Sequence, residues 1–111
     1  MDGDAHVVNY VDYHMLRGKC SPAHPGGILK RLYMEPLSLT ITRLADILSV
    51  SRKTVSKIKN EKGAITPDMA LRLSRALNTT PELWMNLQQT YDLWRARRES
   101  KAWKKVPSIA A

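Results

Sequence analysis

The chain has 111 residues, an apolar fraction of 43% and a formal net charge of +8. That length supports one compact domain with short tails, leaves little room for a catalytic pocket set between lobes, and the charge favours anionic partners such as nucleic acid or a membrane surface. Cys20 is the only cysteine, which excludes an internal disulfide framework and a zinc site built on paired thiolates.

Residues 1–22 read differently from the rest. The acidic start "MDGDAHVVNY" lacks the basic region and apolar core of a secretion signal, and no apolar run along the chain approaches the ~18 residues of a membrane-spanning helix. A soluble, cytoplasmic protein in a reducing compartment is expected. "HVVNYVDY" (6–13) allows a strand or a helical turn, and "RGKCSPAHPGG" (17–27) is rich in breakers and reads as a linker. Residues 1–22 are expected to be a flexible leader, or an arm that orders against a partner or across a dimer.

From Pro25 onward the punctuation is helical. Pro25 stands at a first helical position with His24 as the capping residue; Ile28, Leu29, Leu32 and Tyr33 form an apolar stripe, and Pro36 stops the helix. In "TITRLADILSV" Thr40 is the N-cap and Ile41, Leu44, Ala45 and Leu48 share a face. "SRKTVSKIK" follows, with Ser51 as N-cap and Val55 and Ile58 facing inward. "NEKGAI" is a turn around Gly63. In "TPDMALRLSRAL", Thr66 caps, Pro67 begins the helix, Asp68 suits its dipole, and Met69, Ala70, Leu73, Ala76 and Leu77 form the apolar face. "TPELWMNLQQTYDLWRAR" repeats the device with Thr80, Pro81 and Glu82, then Leu83, Trp84, Leu87, Tyr91 and Trp94. An all-α fold of five helices is the expectation.

Two helices joined by a very short link, the second polar and basic, is the arrangement that places a helix in the major groove of DNA. The link is Ser49–Val50. Leu44, Ala45, Leu48, Val50, Val55 and Ile58 pack the pair together, leaving Arg52, Lys53, Thr54, Ser56, Lys57 and Lys59 outside. Arg52, Lys53 and Lys57 can reach guanine acceptors or phosphates, and Thr54 a base edge or a thymine methyl. Cations in a helix's first turn oppose its dipole by ~0.3–1 kcal/mol, so Arg52 and Lys53 are poorly sited for stability alone. A docked polyanion reverses that penalty.

The stretch from His24 to Trp94, with "HPG", "MEPLSLT", "LADILSVSRKTVSKI", "ITPDMALRLSRAL" and "TPELWMNLQQTYDL" in order, resembles the HigA/VapI-type antitoxins of the Xre/Cro-repressor helix-turn-helix family. The resemblance implies a five-helix, lambda-repressor-like domain over residues 23–96, with an N-terminal arm and a basic C-terminal tail over 97–111. It implies a homodimer on palindromic operator DNA, repression of its own operon, and a RelE/HigB-like, mRNA-cleaving toxin as partner. The DNA-binding residues implied are Thr42, Arg43, Ser51, Arg52, Lys53, Thr54, Ser56, Lys57, Lys59 and Asn60, with Lys62 flanking the groove. Leu87, Tyr91 and Trp94 are the implied dimer interface. Three positions depart from the family pattern: Gly27 replaces a common glutamate, Arg43 a capping-box glutamate, and Ser49 a turn glycine, which places a serine where the backbone angle is strained.

Other residues carry less. The basic run "RARRESKAWKKV" (95–106) is a solvated tail or helix extension, or else an added phosphate contact; a membrane-surface helix is a third reading, disfavoured by its few apolar residues. His6, His14 and His24 have no metal-ligand spacing, and no nucleophile–base set is evident, so neither an enzyme nor a cofactor is expected. Two readings stand beside the antitoxin: a stand-alone Xre-type regulator without a toxin, and a module that binds only an acidic protein.

Overall fold

A computed structural model of the chain describes residues 21–110. The expectations for residues 1–20 lie outside the described residues. The first helix, α1 (Pro25–Ile28), passes without a break into a π-helical segment, Leu29–Met34. It is followed by α2 (Ile41–Leu48), α3 (Arg52–Lys59), α4 (Pro67–Leu77), α5 (Pro81–Glu99) and a 3₁₀ turn, Ala102–Lys105. Among the described residues there is no strand, and no helix is long and apolar enough to cross a membrane.

Capping follows the sequence closely, because it depends on neighbours only a few residues apart. The hydroxyls of Thr40, Ser51, Thr66 and Thr80 accept the amides of Arg43, Thr54, Met69 and Leu83 at 3.1–3.2 Å. His24 caps α1 through Nδ1, which accepts the Gly26 amide at 2.9 Å. Each acceptor satisfies an amide that has no partner within its helix.

Helices α2 and α3 pack together; α1 lies against α3 and α5, and α4 against α2 and α5. Trp84, Leu44, Leu73 and Ala70 are fully buried at the centre, joined by Leu29, Val55 and Leu87. The Trp84 ring packs at a tilt 5.7 Å from that of Tyr33, and its indole N–H donates to the Thr79 hydroxyl at 2.8 Å.

Two expectations about faces need correction. Leu32 is 50% exposed and Met34 takes its place in the core at 3%. The cause is the π-helical winding: amides of Glu35 and Leu39 reach back five residues, to Lys30 and Met34. Leu29 and Met34, five apart, therefore share a face that an α-helix would give to residues three and four apart. Ala76 is exposed, and the α4 face is Met69, Ala70 and Leu73, with Leu77 partly buried against the core. The turn around Gly63 is found after α3: its left-handed residue is Glu61 (φ 62°), and the amides of Lys62 and Gly63 both return to the Lys57 carbonyl.

The last helix runs to Glu99, past residue 97 where the tail is expected to begin. An i,i+4 pair of Arg95 with Glu99 at 2.9 Å supports that final turn.

Candidate nucleic-acid interface

The site is built from the short link between α2 and α3. Helix α2 ends at Ser49, which adopts left-handed angles (φ 57°, ψ 46°), the strained conformation expected of a serine in a glycine's position. For a non-glycine residue this costs roughly 1–2 kcal/mol. The bend brings Val50 back onto the core and sends the chain into Ser51, the cap of α3.

Val55 and Ile58 are 1% and 4% exposed, and this pins the rotation of α3. Arg52, Lys53 and Lys57 are consequently exposed, with Ser56 and Lys59 half-buried at the edges. Thr42 and Arg43 are exposed at the start of α2, and Asn60 and Lys62 beyond the end of α3. Among the described residues the only ion pairs are Arg72–Asp68 and Arg95–Glu99, so none of the cations on α2 or α3 is paired with a described carboxylate.

The helix openings divide into two kinds. Asp68 and Glu82 occupy the first turns of α4 and α5, whereas α2 and α3 have no acid there. Helices α4 and α5 thus follow the dipole rule, while the two helices of the motif, like α1, carry no acid in the first turn. Cations at Arg52 and Lys53 add to the positive potential of the α3 N-terminus, which makes that end an anion-seeking surface.

Not every candidate side chain is free to read a base. The Ser51 and Thr54 hydroxyls lie 2.9 Å apart, and Ser51 also caps the Thr54 amide. Asn60 donates through Nδ2 to the Ser56 hydroxyl at 3.3 Å. These four polar groups therefore brace α3, and the exposed, uncommitted groups are Arg52, Lys53 and Lys57.

The same motif is found in known proteins. Residues 30–84 match the helix-turn-helix family model. A transcriptional regulator of the helix-turn-helix type from Haemophilus influenzae is 49% identical over 73 residues, 66% of this chain and 68% of that protein. Antitoxin HigA-1 of Vibrio cholerae is 40% identical over 83 residues, 75% of this chain and 78% of its own length. The chain belongs to the Xre-type helix-turn-helix family. Among solved structures, antitoxin GraA in complex with its operator superposes with a TM-score of 0.76 at 38% identity, covering 83% of this chain and 95% of that one.

Three further residues hold the family's motif in place here. Arg72 of α4 donates to the Leu48 carbonyl at 2.7 Å and the Ser49 carbonyl at 3.3 Å, while its Nε pairs with Asp68 at 2.8 Å. It ties off the carbonyls that the end of α2 leaves unsatisfied, so it positions the strained link. Gln88, 6% exposed, accepts the Ile65 amide through Oε1 at 2.7 Å and donates to Asp92 at 2.9 Å, fastening the loop after α3 to α5. Gly26 lies so close to the end of α3 that a β-carbon there would stand 1.7 Å from the Ile58 carbonyl oxygen. Arg72 and Gln88 bridge 24 and 23 residues, and no local pattern announces such bonds.

Arg72→Ala is expected to lower stability by about 1 kcal/mol, less than the ~1.5–3 kcal/mol of a hydrogen bond to a charged group because Arg72 is partly exposed. That corresponds to a fall in Tm of about 4–8 °C, read from a thermal melt.

His24 gives the fold a pH dependence. Burial lowers its pKa, opposed by the nearby Glu61 and Asp92 and assisted by Arg95. Its ring stands edge-on 4.7 Å from Tyr91, and its Nδ1 must be unprotonated to accept the Gly26 amide. The stabilisation is therefore complete above the unfolded value of about 6.5 and is lost as pH falls through the lower folded value. Melting curves at pH 7.5 and 5 should show a smaller difference for His24→Asn, which keeps a capping oxygen without titrating, than for the wild type.

Proposed function

We propose that the chain is a dimeric, sequence-specific DNA-binding repressor that serves as the antitoxin of a HigBA-like module. The observation that carries the DNA-binding part is the exposed set Arg52, Lys53 and Lys57, with no ion pair among the described residues, on a helix whose first turn lacks an acid. In this reading α3 enters the major groove with its N-terminus leading. Arg52 and Lys53 read base edges, with Thr54 at their side, and Arg43, Lys57 and Lys59 anchor phosphates. Thr42, Ser51, Ser56 and Asn60 support the same surface.

Dimerisation is assigned to the far end of α5. Leu87 is 2% exposed inside the protomer's own core and has almost no area to offer a partner. Tyr91 and Trp94, half-buried and 5.9 Å apart, remain as the aromatic pair for a second copy. A two-fold dimer then sets two copies of α3 about one helical turn apart on a palindrome. The relation to Vibrio HigA-1 supports the toxin-neutralising part, with a RelE-like toxin as the partner. The Haemophilus relative, named only as a regulator, supports a second reading in which no toxin is bound.

Footprinting of the full chain on the DNA upstream of its own gene tests the repressor reading. Protection of a palindrome by two chains supports it; protection without sequence preference contradicts it. Co-expression with the neighbouring gene product separates the two variants of the reading, through a stable complex or its absence.

A further inference from the structure

We propose that the segment from Arg95 to Lys105 is a second DNA-contacting surface, one that holds the phosphate backbone flanking the operator without reading sequence. The proposal rests on the reading above that α3 engages duplex DNA. The segment carries Arg95, Arg97, Arg98, Lys101, Lys104 and Lys105 against a single acid, Glu99. All seven are exposed.

Helix stability accounts for part of this charge. Arg95 is paired with Glu99, Arg98 lies 5.1 Å over the Trp94 ring, and Lys101 donates to the Arg97 carbonyl at 3.4 Å. Cations are favoured at a helix C-terminus, so these three have a structural role. The same reasons do not extend to Lys105, which stands with Lys104 on the separate 3₁₀ turn Ala102–Lys105. Trp103 on that turn is 48% exposed with the Lys104 ammonium 5.7 Å from its ring. Arg97 has no ion-pair partner among the described residues.

Placement decides between polyanions. Ala64 and Ile65, in the loop that leaves α3, line one groove together with Asp92, Leu93 and Ala96 of α5. Arg97 follows Ala96 directly, so the basic segment departs from beside the loop after the recognition helix, the loop that also carries Lys62. A membrane-surface role would call for a long amphipathic helix, and the helical part beyond α5 is only the four-residue turn. A duplex already held by α3 is the polyanion within reach. Each phosphate neutralised there releases counterions and adds affinity that does not depend on base sequence.

The test compares wild type with Arg97→Gln/Lys101→Gln/Lys104→Gln/Lys105→Gln, which leaves the paired Arg95 and the stacked Arg98 intact. Helical content by circular dichroism confirms that both fold. Fluorescence anisotropy then follows binding to two duplexes of about thirty base pairs, roughly three helical turns. One carries the upstream sequence and the other a scrambled version, each measured over a range of salt. The quadruple variant is expected to bind both duplexes on the order of tenfold more weakly at physiological salt. Its preference between the two should be unchanged, and its log–log salt slope shallower by about 0.9 for each phosphate it no longer neutralises. Unchanged affinity and slope on both duplexes would overturn the proposal, as would a weakening seen only on vesicles containing phosphatidylserine. Should the wild type show no preference for the upstream sequence, the repressor reading fails on its own, while the weakening on the scrambled duplex still decides the role of the tail.

Discussion

Trp84→Ala is expected to remove a large share of the domain's stability. Trp84, on α5, is fully buried with Tyr33 of the π-helical segment and Thr79 of the α4–α5 link against it, and truncating a buried tryptophan costs about 3–5 kcal/mol. A small domain has roughly 5–15 kcal/mol in total. The Thr79 hydroxyl also loses the indole N–H that donates to it. Trp84→Phe separates the two effects: it keeps most of the volume and loses the hydrogen bond, so about 1 kcal/mol should go. Denaturant melts of the three proteins read this order directly.

The second large effect concerns two adjacent glycines that look interchangeable in the sequence. At Gly26 an added β-carbon meets backbone, 1.7 Å from the Ile58 oxygen and 2.8 Å from its carbon. Neither atom can move without shifting the end of α3. At Gly27 the same atom meets only the ends of the Arg31 and Glu61 side chains, at 2.8–3.0 Å, and these can swing away. Gly26→Ala should therefore cost at least the 1–3 kcal/mol of an overpacked core and weaken DNA binding by displacing α3. Gly27→Ala should be neutral, or stabilise by up to about 1 kcal/mol, because a helical glycine carries excess chain entropy. Thermal melts and operator titration of both variants check the contrast.

How much of this is visible in the residues follows from the range of each interaction. The caps at Thr40, Ser51, Thr66 and Thr80 are legible because a hydroxyl and an amide three residues apart decide them. The inward pair Val55 and Ile58, and with it the outward set on α3, follows from helical spacing alone. The strain at Ser49 is legible only through the family resemblance, in which a glycine often stands at that turn. The exchange of Leu32 for Met34 is not legible, because five-residue winding cannot be told from ordinary helix in a short apolar run. The roles of Arg72 and Gln88 depend on which helix lies opposite. Helical spacing puts Thr54 outside, where a base could meet it, but does not show its hydroxyl committed to that of Ser51.

That last point sharpens the assignment on α3. With Ser51 and Thr54 committed to each other, base reading falls chiefly to Arg52 and Lys53, two residues whose position in the first turn opposes the helix dipole. Removing them should leave the fold intact or slightly more stable, because an unfavourable charge–dipole contact of about 0.3–1 kcal/mol each is relieved. Stability and binding are thus expected to move in opposite directions.

The most direct measurement is the ratio of affinities for the upstream duplex and a scrambled duplex, at one fixed salt concentration, for wild type and Arg52→Ala/Lys53→Ala. The wild type should prefer the upstream sequence by roughly 10³-fold or more, as specific DNA-binding proteins do. The double variant should lose most of that preference while its melting temperature holds or rises. A double variant that keeps the wild-type ratio would contradict the assignment of α3 as the reading helix.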